Sequence, residues 1–221
     1  MLWESERMRT HPFTDVRSIV FDVGETLVDE TRMWSELAAA AGVTSFTLMA
    51  ALGSLIERGG DHREVWRLLG VERPVLDVQI DTVDLYPDAL ACLAGLRDAG
   101  FLIGVAGNQP EGVEVQLRTA GFAPDFMASS AAWGVSKPSS AFFARVTLAA
   151  GVPASAILYV GDRLDNDVLP ARAAGMRTAL IRRGPWAVIQ SRCPEAALAD
   201  VTVDSLDELQ RAVGLSRTGL C

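Results

Sequence analysis

Lysine is almost missing from this chain: Lys137 is the only one among twenty basic side chains, the rest being arginine. A bias toward arginine accounts for the other positions but not for the single lysine that remains. Cysteine is scarce as well. Cys92, Cys193 and Cys221 are odd in number and far apart, which excludes a disulfide framework and the paired spacing of a zinc site, so free thiols are expected. No apolar run approaches the roughly 18 residues of a membrane-crossing helix. Met1 to Pro12 carries charges without an apolar centre, unlike a secretory leader, and the expected location is the cytoplasm. There is no long basic run and the formal net charge is -8. That balance disfavours a grip on nucleic acid or anionic membrane and points to small-molecule partners of a monomer or homodimer.

What is present is apolar: 49% of the 221 residues, enough for one large core or a core with a small insertion. In Arg17 to Val28 the run Ser18-Ile19-Val20-Phe21 delivers Asp22 into a turn, the pattern of a buried parallel strand with an acid at its carboxyl end. Helical patterns follow at 31–41, 46–58 and 62–69, punctuated by Gly42, Gly59-Gly60 and Gly70. From Tyr86 strand and helix alternate. Helices are expected at 87–99, 111–120, 139–150, 164–174 and 206–213, and strands at 101–106, 122–127, 156–160, 176–181 and 199–203. Pro170 is compatible with its helix only in the first turn. This alternation predicts an α/β fold, a doubly wound parallel sheet in a Rossmann-like three-layer sandwich, with a small all-helical unit after the first strand. The expected division is a lead-in over 1–16, a core over 17–29 and 85–221, and the helical unit over 30–84.

Four places carry chemistry. Asp22 is a candidate nucleophile or metal ligand. In Gly161-Asp162-Arg163-Leu164-Asp165-Asn166-Asp167 a second strand ends on an acid, and three carboxylates fall within six residues; Asp165 reads most simply as a helix cap. If the two strands are neighbours, Asp22, Asp162 and Asp167 converge, and like charges that close call for a cation between them. An all-oxygen set suits a hard ion such as Mg²⁺. Lys137, held before Pro138 at a helix entry, offers a compact positive charge to balance carboxylates and an anionic substrate. Gly107 and Asn108, at the end of the strand before them, offer close backbone approach and a donor, or a plain turn.

The order and spacing of these pieces resemble the haloacid dehalogenase superfamily of hydrolases. Phe21-Asp22-Val23-Gly24-Glu25-Thr26-Leu27 is similar to its first motif, Ala106-Gly107-Asn108 to its second, Lys137-Pro138 to its third, and Gly161-Asp162 through Asp167 to its fourth. The likeness covers about residues 17–203 and implies that 30–84 is the family's helical cap. It implies Mg²⁺-dependent hydrolysis of a small phosphomonoester. Asp22 would be the nucleophile, Lys137 would steady it, Asp22, Asp162, Asp167 and the Gly24 carbonyl would form the metal site, and Gly107, Asn108 and Glu25 would face substrate.

Two positions depart from the pattern. The family's second aspartate, its general acid and base, is Gly24, and its Ser or Thr phosphate grip is Gly107. Glu25 is a candidate substitute for the first and Asn108 for the second. The departures keep two alternatives open: a metal-free dehalogenase in which Asp22 displaces halide, and a weakly active or inactive binding or regulatory protein. The helical unit contains no lysine, which excludes a Schiff-base mechanism there. Arg32, Arg58, His62, Arg63 and Arg67, with Trp34 and Trp66, are candidates for substrate contacts or else a solvated face and a small core.

Overall fold

The computed structural model describes residues 13–215. The expectations for residues 1–12 and for Cys221 lie outside the described residues. Six parallel strands form one sheet in the order β3-β2-β1-β4-β5-β6. They are β1 (Ser18–Phe21), β2 (Leu102–Gly107), β3 (Phe126–Ser129), β4 (Ile157–Gly161), β5 (Arg177–Ile181) and β6 (Val201–Val203). The chain fills one side of β1 and then crosses to β4, so the crevice between the carboxyl ends of β1 and β4 is the switch point where open α/β sheets bind ligands.

Side-chain alternation builds both faces. Ile19 and Phe21 of β1 enter one apolar cluster, with Leu93 and Leu96 of α4 (Ala89–Asp98), Leu117 of α5 (Val113–Thr119) and Leu206 and Leu209 of α10 (Leu206–Ala212). Val20 enters the other, with Phe142, Phe143 and Val146 of α7 (Ser140–Ala150) and Ala171 of α8 (Leu169–Ala173). Phe13 and Val16 are buried in the first cluster, so the end of the lead-in is part of the core.

Gly104 in β2 shows how tightly adjacent strands pack. A Cβ there would lie 2.2 Å from the Phe126 ring of β3, so Gly104→Ala forces that ring from its place. Overpacking of this kind costs about 1–3 kcal/mol; thermal melts are expected to shift down by roughly 3–10 °C.

The chain leaves the sheet after β1 and returns beside its exit: Val28 bridges Leu85 in antiparallel fashion, and Asp29 N–H donates to the Asp84 carbonyl at 2.7 Å. Between them lie α1 (Thr31–Ala40), α2 (Ser45–Glu57), a 3₁₀ turn over His62–Glu64 and α3 (Val65–Leu69). These share an apolar cluster of Ala38, Leu48, Leu52, Ile56, Val65 and Trp66, joined by Trp186 of α9 (Gly184–Gln190).

Two short helices, α6 (Ser130–Trp133) and α9, are not expected from the pattern. The strand expected at 122–127 lies at 126–129, because Phe122 goes to the core after the turn at Gly121. The helix expected at 164–174 is a π turn over Leu164–Val168 running into α8, whose first turn holds Pro170. Cys92 and Cys193 are free thiols. Among the described residues no single helix is long and apolar enough to cross a membrane.

Candidate active site

Parallel register sets the site. Phe21 pairs with Val105 of β2 and Val160 of β4, and Asp22 N–H donates to the Val160 carbonyl at 2.8 Å. Asp22 therefore stands level with Gly161, the last residue of β4, and Asp162 follows one residue beyond it at the same edge of the sheet. Asp167 folds back to them from the π turn. One carboxylate oxygen from each of Asp22, Asp162 and Asp167 lies within 4.8 Å of the others, and all three residues are buried.

Lys137 is the counter-charge. Its ammonium, fully buried, lies 2.7 Å from Asp22 Oδ1 and 2.5 Å from Asp167 Oδ1. These two carboxylates hold its pKa well above the usual lysine value against the opposing effect of burial. The other oxygen of Asp167 accepts from Arg163 N–H at 2.9 Å, while burial and the Asp22 charge still push Asp167 up to about 6. Asp162 is pushed well up by burial and then by Asp167 and Asp22. Its Oδ2 is buried without a hydrogen-bond partner. One ammonium among three clustered carboxylates and an orphaned oxygen fit a hard divalent cation, whose charge would relieve the crowding.

The glycines are close-approach positions, and what approaches is the protein's own carboxylates. A Cβ on Gly107 would lie 2.4 Å from Asp22 Oδ1, so the Asp22 carboxylate fills the space that a Ser or Thr there would need. A Cβ on Gly24 would lie 2.3 Å from Glu30 Oε1.

Two residues expected to face substrate are held by bonds within the protein. Asn108 is clamped to the Lys137 loop: its Oδ1 accepts Lys137 N–H at 2.8 Å and one hydrogen of its Nδ2 is donated to the Lys137 carbonyl at 3.0 Å. It fixes the backbone that carries the ammonium. Glu25, at φ +49°, is turned away from Asp22: Oε2 accepts Tyr86 O–H at 2.6 Å and Oε1 accepts Glu30 N–H at 3.0 Å. Burial is the main cause of its raised pKa. Left-handed backbone at a non-glycine residue is strain held by its surroundings, here those two bonds. Arg183 braces the same loop, donating to the Thr26 carbonyl at 2.9 Å and pairing with Asp88.

Around the mouth, Arg32 is bound to Asp84 and Glu36, and Arg63 and Arg67 are exposed beside Asp61 and Glu64. Trp66 is buried in the small helical core. Asp165 pairs with Arg163 at 2.7 Å and accepts from Gln190 at 2.9 Å. Of the residues that gather at the mouth, Trp34 and His62 are among the sequence candidates, whereas Trp186, Arg163 and Glu30 are not marked by pattern. Trp34 and His62 pack on the Trp186 ring at 6.4 and 5.7 Å, and the Arg163 guanidinium lies 5.0 Å from its centroid. Glu30 stands beneath them. Burial, then the Glu25 charge, push it up to about 7. Pro185 and Trp186 after Gly184 form a helix start with proline in the first turn, a signal by which α9 is legible.

Comparison with known proteins agrees with this fold. The HAD-hydrolase-like family model matches residues 134–209. A glyceraldehyde 3-phosphate phosphatase of Methanopyrus kandleri is 36% identical over 208 residues, 80% of this chain and 88% of the relative. A phosphoserine phosphatase of Thermus thermophilus is 34% identical over 59% of this chain and 52% of its own length. Among solved structures, a HAD phosphatase from Thermococcus onnurineus superposes with a TM-score of 0.60 at 21% identity, over 92% of this chain and all of the other. An L-2-haloacid dehalogenase superposes with 0.68 at 20% identity, over 90% and 99%. At such identities the structures speak for the fold alone.

Proposed function

The chain belongs to the haloacid dehalogenase-like hydrolases, and from that premise we propose that it hydrolyses a small phosphomonoester, of the size class of the triose phosphates, through an aspartyl-phosphate at Asp22. The observation that carries this reading is the buried triad of carboxylates, two of them, Asp22 and Asp167, tied to one ammonium. A metal-free displacement of halide has no use for three acids this close, and the assembled cluster gives no support to a non-catalytic role.

Asp22 attacks phosphorus in line while Lys137 holds its carboxylate and balances the incoming anion. Asn108 keeps the Lys137 backbone in place. Asp22, Asp162 and Asp167 would hold Mg²⁺, which when bound supplies neutralisation of the phosphoryl charge. Helices α1 to α3, with residues 30–84, form a cap over the crevice, and Trp34, His62, Trp186 and Arg163 line its mouth. The phosphatase names of the relatives support the substrate class.

The test is a phosphoester panel with Mg²⁺ or chelator. Turnover is expected to vanish in chelator and return with Mg²⁺; activity indifferent to both would overturn the metal assignment. The same titration has a stability readout. At a concentration one hundred times its Kd a cation stabilises by about 2.7 kcal/mol, roughly 5–10 °C in Tm. Because burial and charge crowding raise the folded pKa of Asp167 to about 6 and that of Asp162 upward, their contribution to stability is present below the ordinary carboxylate range and lost as pH rises through about 6. The gain from Mg²⁺ is therefore larger at about pH 8 than at about pH 5.

A further inference from the structure

Gly24 leaves the reaction without the usual acid two residues beyond the nucleophile, and Glu25 faces away. We infer that Glu30 is the catalytic acid and base, its carboxylate occupying the space that Gly24 leaves open. This rests on the phosphatase reading above.

The geometry is specific. Glu30 is the N-cap residue of α1, yet its side chain makes no capping bond; Asp29 Oδ1 takes the Thr31 N–H instead, at 2.8 Å. The short side chain of an aspartate turns readily onto helix N–H groups, as Asp29 does here; the longer Glu30 side chain is left for another place. It lies on Gly24, so close that a side chain at 24 would have to displace the carboxylate: a Cβ would sit 2.3 Å from Oε1 and 2.8 Å from Cδ. The carboxylate is held there from two sides. Trp34 Nε1 donates to Oε2 at 3.2 Å, and Glu25 Oε1 fixes the Glu30 backbone through its N–H at 3.0 Å. Oε1, the oxygen against Gly24, accepts no hydrogen bond among the described residues.

Gly24 and Glu30 are thus a matched pair. The glycine removes a side chain from the position two residues after the nucleophile, and the glutamate returns a carboxyl group to that volume from six residues further along the chain. Glu25 has become a positioning residue for it. The charged groups that face Glu30 are Glu25, Asp22 and Asp162 on the acidic side and Arg163 on the basic side.

The proton balance closes with this one group. As Asp22 bonds to phosphorus and the phosphorus–oxygen bond to the alcohol breaks, the leaving oxygen takes the Glu30 proton and departs as the neutral alcohol. Water then attacks the phosphorus of the aspartyl-phosphate and gives its proton to the Glu30 carboxylate. The bond between Asp22 and phosphorus breaks, phosphate leaves, and both side chains return to their starting state.

A general acid matters most where the leaving group is poor. Glu30→Gln keeps the shape and the Trp34 bond but cannot shuttle the proton. On glyceraldehyde 3-phosphate its kcat is expected to fall by about 10²–10⁴-fold. On p-nitrophenyl phosphate, whose leaving group needs no proton, the first step survives, giving a burst of nitrophenolate and a trapped phosphoryl group on Asp22. A second pair of variants tests the shared volume. Gly24→Asp alone is expected to gain no activity over wild type, because Glu30 fills the space; Gly24→Asp with Glu30→Ala is expected to exceed Glu30→Ala alone by about tenfold or more. Equal losses on both substrates without a burst would make Glu30 structural and overturn the inference, as would a Glu30→Gln enzyme within about threefold of wild type on the alkyl ester, a loss far short of a missing general acid. An active Asp22→Asn enzyme would instead overturn the phosphatase reading itself.

Discussion

Asp22→Asn is expected to lower kcat on any phosphomonoester by at least about 10⁴-fold, the scale of losses when a covalent nucleophile is removed. The amide has nearly the size of the carboxylate, and at the end of β1 it keeps its backbone bond to the Val160 carbonyl, so the loss is chemical. It presents no anionic oxygen to phosphorus: its amide oxygen takes the place of Oδ1 beside the Lys137 ammonium, which Asp22 met at 2.7 Å, and its other terminal position carries hydrogens. The variant should also melt no lower than wild type in chelator, because removing this charge relieves Asp162 and Asp167, both of which it pushes upward. A loss of activity with unchanged or higher stability is what a functional site held against its own repulsion predicts. Turnover within about tenfold of wild type would remove Asp22 from the mechanism, since even partial loss of covalent catalysis exceeds that.

The parts of this site that are legible in sequence are those encoded by neighbours along the chain. An apolar run must end somewhere, and Asp22 and Asp162 stand where two such runs end; parallel pairing of the two strands then brings both to one edge of the sheet. Lys137 is legible for a different reason, composition: a chain that has replaced lysine everywhere else needed an ammonium at one place. The helices of residues 31–69 follow from their period and their glycines.

Other features depend on the chain folding back and have no local signature. Glu30 lies eight residues from Asp22 and reads as the start of a helix; only the turn over 23–28, closed by Glu25 N–H to the Val28 carbonyl at 2.7 Å, returns it to Gly24. Asn108 looks like a donor aimed at a ligand until the Lys137 loop, 29 residues on, closes on both its polar atoms. Gly107 and Gly24 look like losses when read one position at a time. In three dimensions each is room made for a carboxylate, from Asp22 in one case and Glu30 in the other.

Lys137→Met is expected to be the most destabilising single change at the site. The side chain is fully buried and is the only ammonium bonded to Asp22 and Asp167. Methionine fills much of the same volume but leaves three clustered acids without their partner. Removing one side of a buried ion pair costs about 3–5 kcal/mol, a fall of roughly 10 °C in Tm for a chain of this size. Lys137→Arg is not expected to rescue it, because a planar guanidinium does not fit where a compact ammonium bridges two carboxylates. The sign with pH follows from the acids. Asp167 already titrates at about 6 with the lysine present, and Lys137 is the largest influence holding it down; without it the pKa climbs further. The variant should therefore be most unstable above neutrality and recover toward wild type at about pH 5, where the carboxylates take up protons. Melting curves in chelator at the two ends of that range decide the matter. A constant deficit at every pH would mean that methionine merely packs badly, whereas a deficit that closes on acidification assigns the cost to charge, the same charge the proposed cation neutralises.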